Sequence, residues 1–238
     1  MRTVAILQAR MGSSRLPGKM LLPLLGKPLV QHVLERVNRA TTLDAVVLAV
    51  PAHDVDAFAP AAYQRAILYP YAGDEADLVG RYLGAATVHY AELIVRIPCD
   101  NPCVQPDYID EAVEKYLARP QVYASTMYRH VRDRIYLDGV GAEVFSMSRL
   151  QWLDQATQGQ PNYREHPHLL FQDQHLIDGW EQYVRYANVS ETIRLDVNDI
   201  PGYEFIKTIY TYFGHNEFTS DEIVSFLTTK EVPHEASR

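Results

Sequence analysis

Residues 3–20 read TVAILQARMGSSRLPGKM, a short apolar run followed by a loop that carries Arg10, Arg15 and Lys19 among small residues. Val4–Leu7 is the pattern of a buried strand, and a cationic loop at its end is the pattern of a polyphosphate site. The chain as a whole is acidic, with 22 Lys+Arg against 30 Asp+Glu and a net charge of −8. Yet no acidic residue precedes Glu35, whereas Arg2, Arg10, Arg15, Lys19 and Lys27 all do, leaving −13 on the rest of the chain. Arg offers a planar fork of donors and Lys a compact point charge, both suited to phosphate oxygens. A merely solvated basic loop is the competing reading of the charge pattern taken alone.

The spacing within the loop excludes two common phosphate binders. A Walker A loop needs four residues between its glycines and Ser or Thr after its Lys, but Gly12 and Gly18 are separated by five and Met20 follows Lys19. There is also no G-x-G-x-x-G run. What remains is a loop in which Gly12, Ser13 and Ser14 let backbone N–H groups approach an anion while Arg10, Arg15 and Lys19 neutralise it. Pro17-Gly18 sets a turn that aims Lys19 back.

Working outward, 238 residues with 47% hydrophobic content can bury a full core and fit one large α/β domain. Arg10 comes too early for a signal-peptide core, and no apolar run approaches the ~18 residues of a membrane span. The expectation is a cytoplasmic protein without membrane contact. Only Cys99 and Cys103 occur, so there is no disulfide framework, as in a reducing compartment. The acidic balance argues against a nucleic-acid binder.

Strand and helix signals alternate along the first half. Ala45–Val50, Ile67–Tyr69 and Leu93–Ile97 read as further strands, and Pro28–Ala40, His53–Ala62, Asp74–His89 and Pro106–Leu117 as helices. Asp74 is the expected N-cap of the third helix. Repeated β-α-β makes a mainly parallel sheet covered by helices on both faces. Beyond residue 121 the pattern loosens. Gln121–Met127 and Glu143–Phe145 suggest strands around a polar segment, Tyr128–Asp138, and Tyr163–Asp173 has few periodic signals. Residues 121–175 are therefore expected to form a substrate lid or dimerisation arm. Ile193–Val197 restores a core strand, Tyr203–Tyr212 a helix, and Ser220-Asp221-Glu222 caps a last one.

In open parallel sheets ligands sit at the carboxyl ends of strands, and three polar clusters follow strands here: Arg10–Lys19, Asp100-Asn101 and Asn198-Asp199. They should share one edge. Phosphate-binding cations facing Asp100 and the oxygens near 196–199 suit a hard divalent ion, Mg²⁺ by default.

These residues also carry a resemblance. Val4–Lys19 as VAILQARMGSSRLPGK, Gly73–Tyr82 as GDEADLVGRY, Arg96–Asp110 as RIPCDNPCVQPDYID, Asp138–Ser146 as DGVGAEVFS, Arg164-Glu165-His166 and Ile193–Tyr210 together resemble the spore-coat-polysaccharide F-type cytidylyltransferases. That family is similar to the CMP-ulosonic-acid (acylneuraminate and KDO) synthetases. The resemblance implies a nucleotide-diphospho-sugar transferase fold, a Rossmann-like, GT-A-like three-layer sandwich with a mixed, mainly parallel sheet. It implies transfer of CMP from CTP to a sugar, sugar acid or other small acidic acceptor, with pyrophosphate released, and a homodimer. By position it implies that Arg10, Arg15, Lys19 and Asp100 are catalytic. Leu7, Gln8, Ala9, Gly12, Ser13, Asp74 and Arg81 join them in nucleotide binding. Asp138, Gly139, Glu143, Arg164 and His166 fall on the acceptor, and Asp100, Asp196 and Asn198 on the metal. Nucleotidyl transfer needs positioning and charge neutralisation more than a covalent catalyst, in agreement with the cationic loop.

The chain departs from the family at two places. Cys99 stands where Gly usually precedes the metal-binding Asp, and Asn198 stands where a second metal-binding Asp is usual. Asp196, two residues earlier and so on the same strand face, is one substitute, and Asp199 is another. Two further classes follow from these departures and the fold: a nucleotide-sugar-dependent glycosyltransferase, for which three cations exceed the needs of a diphosphate, and a catalytically impaired nucleotide-binding protein. Other clusters point elsewhere. Cys99-x₃-Cys103 lacks the second pair of a zinc site. His166, His168 and His175 read as structural or acceptor-contacting, and Tyr203, Phe205, Tyr210, Tyr212 and Phe213 as packing.

Overall fold

A computed structural model describes residues 1–120, 123–132, 135–174 and 192–229. Its centre is the opening run: β1 (Thr3–Gln8) is flanked by β4 (Ala45–Pro51) and β6 (Leu93–Pro98), both parallel to it. The six-stranded sheet has the order β5-β4-β1-β6-β10-β7, with β5 (Ile67–Tyr71) parallel to β4. On the other side β10 (Glu143–Ser146) runs antiparallel to β6, and β7 (Ala124–Ser125) antiparallel to β10. The sheet is thus mixed and mainly parallel.

Side-chain alternation along the strands divides the core into two layers. Ala5 and Leu7 of β1 join Leu48, Val95 and Ile97 on one face. They pack against α1 (Leu29–Val37), α2 (Val55–Ala62), α4 (Pro106–Ala118), α8 (Ile200–Phe213) and α9 (Ser220–Thr229). Val4 and Ile6 point the other way with Val47 and Ile94, against α3 (Leu78–Val88), α5 (Met147–Ala156) and α7 (Pro167–Asp173). A strand buried on both faces must be apolar throughout, which is why β1 reads as a continuous run. Among the described residues, no helix is long and apolar enough to cross a membrane.

Several local expectations change. Asp77, not Asp74, is the N-cap of α3: its side chain accepts from Gly80 N, while Asp74 accepts from Ala76 N in the turn before. The first helix ends at Val37, short of Ala40. The polar segment forms a hairpin of β8 (Tyr128–Arg132) and β9 (Ile135–Asp138). The expected strand at 193–197 is confined to β11 (Thr192–Arg194), which pairs with β9 in a separate three-stranded sheet. Leu195 and Val197 beyond it are nonetheless fully buried. The stretch with weak periodicity is helical, α6 (Pro161–Glu165) followed by α7, and short helices broken by Pro167 leave too few turns for a period to show. Residues 121–122 and His175 lie outside the described residues.

Candidate functional site

The loop after β1 is held in shape before any ligand arrives. Ala9 N donates to Ala49 O at 3.2 Å, Met11 N to Asp54 Oδ2 at 2.9 Å, and both Ser13 N and Gly18 N to Met11 O at 3.0 Å. Gly18 sits at φ +71°, a left-handed conformation that costs glycine little, and the chain reverses there. Lys19 follows in the next turn, buried, with its Nζ donating to Asp100 Oδ2 at 2.6 Å, Val197 O at 2.8 Å and Asn198 Oδ1 at 3.2 Å. All three ammonium protons are thereby placed. Arg15 donates to the same Asn198 Oδ1 at 2.8 Å, and Arg10 pairs with Glu165 Oε1 at 3.0 Å. Asp100 closes the circle through its backbone, its O accepting from Val197 N at 2.8 Å. The three polar clusters that follow strands in the sequence do meet at one sheet edge.

Two clefts open at this edge. The first, about 410 Å³, is lined among others by Gln8, Ala9, Arg10, Ser13, Arg15, Lys19, Arg81 and Asp100. The second, about 490 Å³, is lined by Asp138, Glu143, His166, His168, Arg194 and Asp196. Arg15, Arg96, Pro98, Asp100, His166 and Asn198 belong to both and form their common wall.

Not every expected residue reaches a cleft. Leu7 is fully buried in the core below the loop. Gly12 is exposed, with Glu75 Oε1 only 2.9 Å from where a Cβ would stand, and lines neither cleft; nor does Asp74. Gly139, at φ +86°, is buried beside Asn101. Arg164 is engaged elsewhere: it donates to Asp77 Oδ1 and Oδ2 at 2.8 and 3.0 Å and to Asp154 Oδ1 at 2.9 Å, tying α6 to the starts and ends of α3 and α5. Its guanidinium is a strut, spent on two carboxylates, and it lines neither cleft. Asp199, an alternative metal ligand by sequence, caps α8 by accepting from Gly202 N at 2.9 Å.

Other lining groups were not singled out by sequence. Arg96 projects from the middle of β6 and forms a buried ion pair with Glu143. A charged residue inside an otherwise apolar strand is the signal that could have found it. Glu165 lines the first cleft and emerges only from its contact with Arg10, as Asp54, which lines neither cleft, emerges only from its hold on Met11 N.

The charge balance differs across the common wall. The Asp138 carboxyl is pushed up to about 7 by burial, and further by the neighbouring charge of Asp196, with a smaller push from Asp100. His168 is pushed down to about 4, chiefly by burial and then by Arg96, so its imidazole is neutral. Burial raises the Cys99 thiol and pushes Cys103 up to about 12; both are buried free thiols, Cys103 packed in the core and Cys99 at the wall of the first cleft. Tyr203 and Tyr210 are likewise core, Tyr210 Oη donating to Pro102 O at 2.6 Å.

A hard cation fits this donor set. Burial and the nearby charges of Asp196 and Asp100 raise the Asp138 carboxyl, and the Asp100, Asp138 and Asp196 carboxylates with Asn198 Oδ1 are the oxygen donors a hard cation takes. Among the described residues, no three His, Cys, Asp or Glu side chains converge to hold a metal unaided. Mg²⁺ sites are commonly of that kind, completed by substrate phosphates and water. Asn198 has a further duty, since its Oδ1 serves Arg15 and Lys19 while its Nδ2 donates to Asp196. An aspartate there would face Asp196 with a second negative charge.

The sequence profile of a cytidylyltransferase family matches residues 4–212. An uncharacterized protein of Methanocaldococcus jannaschii is 27% identical over 231 residues, 95% of this chain and 90% of that protein. A 3-deoxy-manno-octulosonate cytidylyltransferase of Geobacter sulfurreducens is 34% identical over 136 residues, 56% of this chain and 52% of that enzyme, so the match spans about half of its length. In three dimensions the chain is similar to a cytidylyltransferase of Leptospira borgpetersenii, with a TM-score of 0.79 at 24% identity, covering 96% of this chain and 94% of that one. A CMP:2-keto-3-deoxy-manno-octonic acid synthetase complexed with CTP gives 0.65 at 20% identity, covering 90% and 100%. At these identities the structural likeness speaks for the fold.

Proposed function

The chain belongs to the cytidylyltransferase family, and from that premise we propose that it transfers CMP from CTP to a small acidic sugar acceptor and releases pyrophosphate. The observation that carries the reading is the convergence of Lys19, Arg15 and Arg10 on one cleft beside Asp100 and Asn198. Three cations at one wall match a triphosphate better than the diphosphate of a glycosyltransferase donor.

In this reading the triphosphate lies in the first cleft, with the base and ribose toward Gln8, Ala9 and Arg81, and the acceptor lies in the second. An acceptor oxygen attacks the α-phosphorus across the common wall, and the bond from that phosphorus to the bridging oxygen of pyrophosphate breaks in line. Lys19 and Arg15 neutralise the charge that builds on the departing pyrophosphate, a role for which preorganised donors need no rearrangement. Arg10 exchanges Glu165 for phosphate oxygens. Asp100, with Asp196 and Asn198, would hold Mg²⁺, whose charge would offset that of the phosphates. Asp138, Glu143 and His166 contact the acceptor, with Gly139 supplying the turn behind them, while residues 121–175 act as lid or dimer arm of a cytoplasmic homodimer serving polysaccharide synthesis.

Incubation with CTP, Mg²⁺ and a panel of ulosonic acids, followed by pyrophosphate assay, tests the reading. Pyrophosphate release with at least one acid is expected. CTP binding without release from any of them points to a nucleotide-binding protein instead, and turnover of a nucleotide sugar to a glycosyltransferase.

A further inference from the structure

Gln8 ends β1 and lines the first cleft. The orientation of its amide is settled by chemistry: the side chain contacts the Leu78 backbone oxygen at 3.0 Å, and a carbonyl oxygen accepts only from the NH₂ end. Oε1 is thereby turned away from Leu78. It is shut off from solvent and has no hydrogen-bond partner in the protein. A second orphan lines the same cleft. Arg81 is 1% exposed, its Nη2 donates to Glu75 O, and its Nε has no partner. Native proteins pair nearly all buried polar atoms, so Gln8 Oε1 and Arg81 Nε, an acceptor and a donor left unpaired on residues that line one cleft, with Arg96 Nε at the common wall as a third, point to a ligand that supplies the complement.

The complement is a donor beside an acceptor. The cytosine edge presents its exocyclic N4 amino group as donor and ring N3 as acceptor, whereas uracil presents O4 as acceptor and N3–H as donor. Uracil would leave Gln8 Oε1 facing an oxygen. The amide has no means of adapting by rotation, because its oxygen would then face the Leu78 carbonyl. We propose that Gln8 Oε1 accepts a hydrogen bond from the exocyclic amino group of cytosine, with Arg81 Nε toward ring N3, so that Gln8 is the residue separating CTP from UTP. This rests on the CTP-dependent reading above. Adenine presents the same donor–acceptor edge, so the informative comparison is cytosine against uracil.

Calorimetry on the full chain with Mg²⁺ and three triphosphates tests it: CTP, UTP, and the pyrimidin-2-one analogue that lacks only the 4-amino group. The unchanged protein should bind CTP about 10–100-fold more tightly than either of the others, the cost of leaving a buried acceptor unsatisfied. Gln8→Met keeps the length and removes the acceptor. It should weaken CTP to the level of the analogue, leave the analogue itself unchanged, and preserve the circular dichroism spectrum. Equal binding of CTP and the analogue by the unchanged protein overturns the inference without any variant, as does an unaltered CTP-to-analogue ratio in Gln8→Met. An unchanged protein that binds UTP as well as CTP, or neither, removes the CTP reading itself and this inference with it.

Discussion

The two clefts share a wall but hold their charges in opposite ways. On the nucleotide side, cations are parked on oxygens borrowed from distant elements: Lys19 on Asp100, Arg15 on Asn198 and Arg10 on Glu165. On the side proposed for the acceptor, Glu143 is paired with Arg96 and Asp196 with Arg194, and Asp138 is pushed to about 7 by its own burial and by Asp196. The first side is built from loops that follow parallel strands; the second is built from the antiparallel strand β10, a hairpin and two short helices. A cationic cleft whose partners are neutral amides or single carboxylates is ready to exchange them for phosphate.

The largest effect should come from breaking the nucleotide side at the most buried of its three loop cations. Lys19→Ala removes an ammonium that contacts three acceptors and should lower the pyrophosphate release rate by about 10²–10³, the usual loss for one preorganised charge-stabilising donor. Arg15→Ala should act in the same direction. Circular dichroism should be unchanged in both. A rate within tenfold of the unchanged protein in both variants means that the loop is not where the triphosphate charge is met.

How far each side was legible in the sequence follows from the range of its interactions. The run Val4–Leu7 and the loop to Lys19 signal themselves within twenty residues, because strand period and turn chemistry are local. Even there Asp74 and Asp77 both precede the same apolar period, and what singles out Asp77 is its bond to Gly80 N together with Arg164 and the Tyr71 hydroxyl. On the acceptor side the decisive partners are remote. Arg164 and His166 both read as acceptor contacts within three residues, yet the fold sends Arg164 to α3 and α5, His166 to the common wall, and Glu165 between them to Arg10. Arg96 finds Glu143 only because β10 pairs antiparallel with β6.

That division is itself breakable. Arg164→Met should destabilise the fold by about 2 kcal/mol, because Asp77 and Asp154 are both partly buried and lose their shared counter-charge. For a chain of this size that is roughly a 4–8 °C fall in Tm. The acceptor KM should not move by more than about twofold, since one factor of two is only about 0.4 kcal/mol of binding energy. A large rise in KM with unchanged Tm returns Arg164 to the acceptor site.

Asn198 tests the wall between the clefts. Asn198→Asp gives Arg15 and Lys19 a stronger partner but loses the donor toward Asp196 and sets two carboxylates face to face. Mg²⁺ should then bind roughly tenfold more tightly, as charge count sets the affinity of hard-cation sites. Titration of Mg²⁺ by calorimetry, with Asp196→Ala and Asp100→Ala alongside, measures it. Metal affinity indifferent to all three substitutions removes the cation from this wall.

The smallest effect lies in the scaffold of the nucleotide side, where carboxyls are held low. Burial alone would raise the Glu35 carboxyl, but donors from Gln31, Lys27 and Arg65 outweigh it and bring it from 4.5 to about 2. Asn216 adds a fourth donor at 2.9 Å, so Glu35 ties α1 to the β2–β3 ribbon (Pro23–Leu24 with Lys27–Pro28), to the loop after α2 and to the turn before α9. A folded-state pKa below the unfolded one means that the unfolded chain binds more protons between those two values. The stabilisation is therefore complete above about 4.5 and is lost as the pH falls through about 2. Lys27 is half exposed, so screening trims the contribution to about 1 kcal/mol. Glu35→Gln should cost about that much in urea unfolding at pH 7 and almost nothing near pH 2. Asp138, held high on the other side, changes stability between 3.8 and about 7 in the variant and the unchanged protein alike, and so cancels from the difference between them. An equal cost at both pH values would mean that Glu35 acts through packing, and that the opposite handling of carboxyls on the two sides has no bearing on stability in acid.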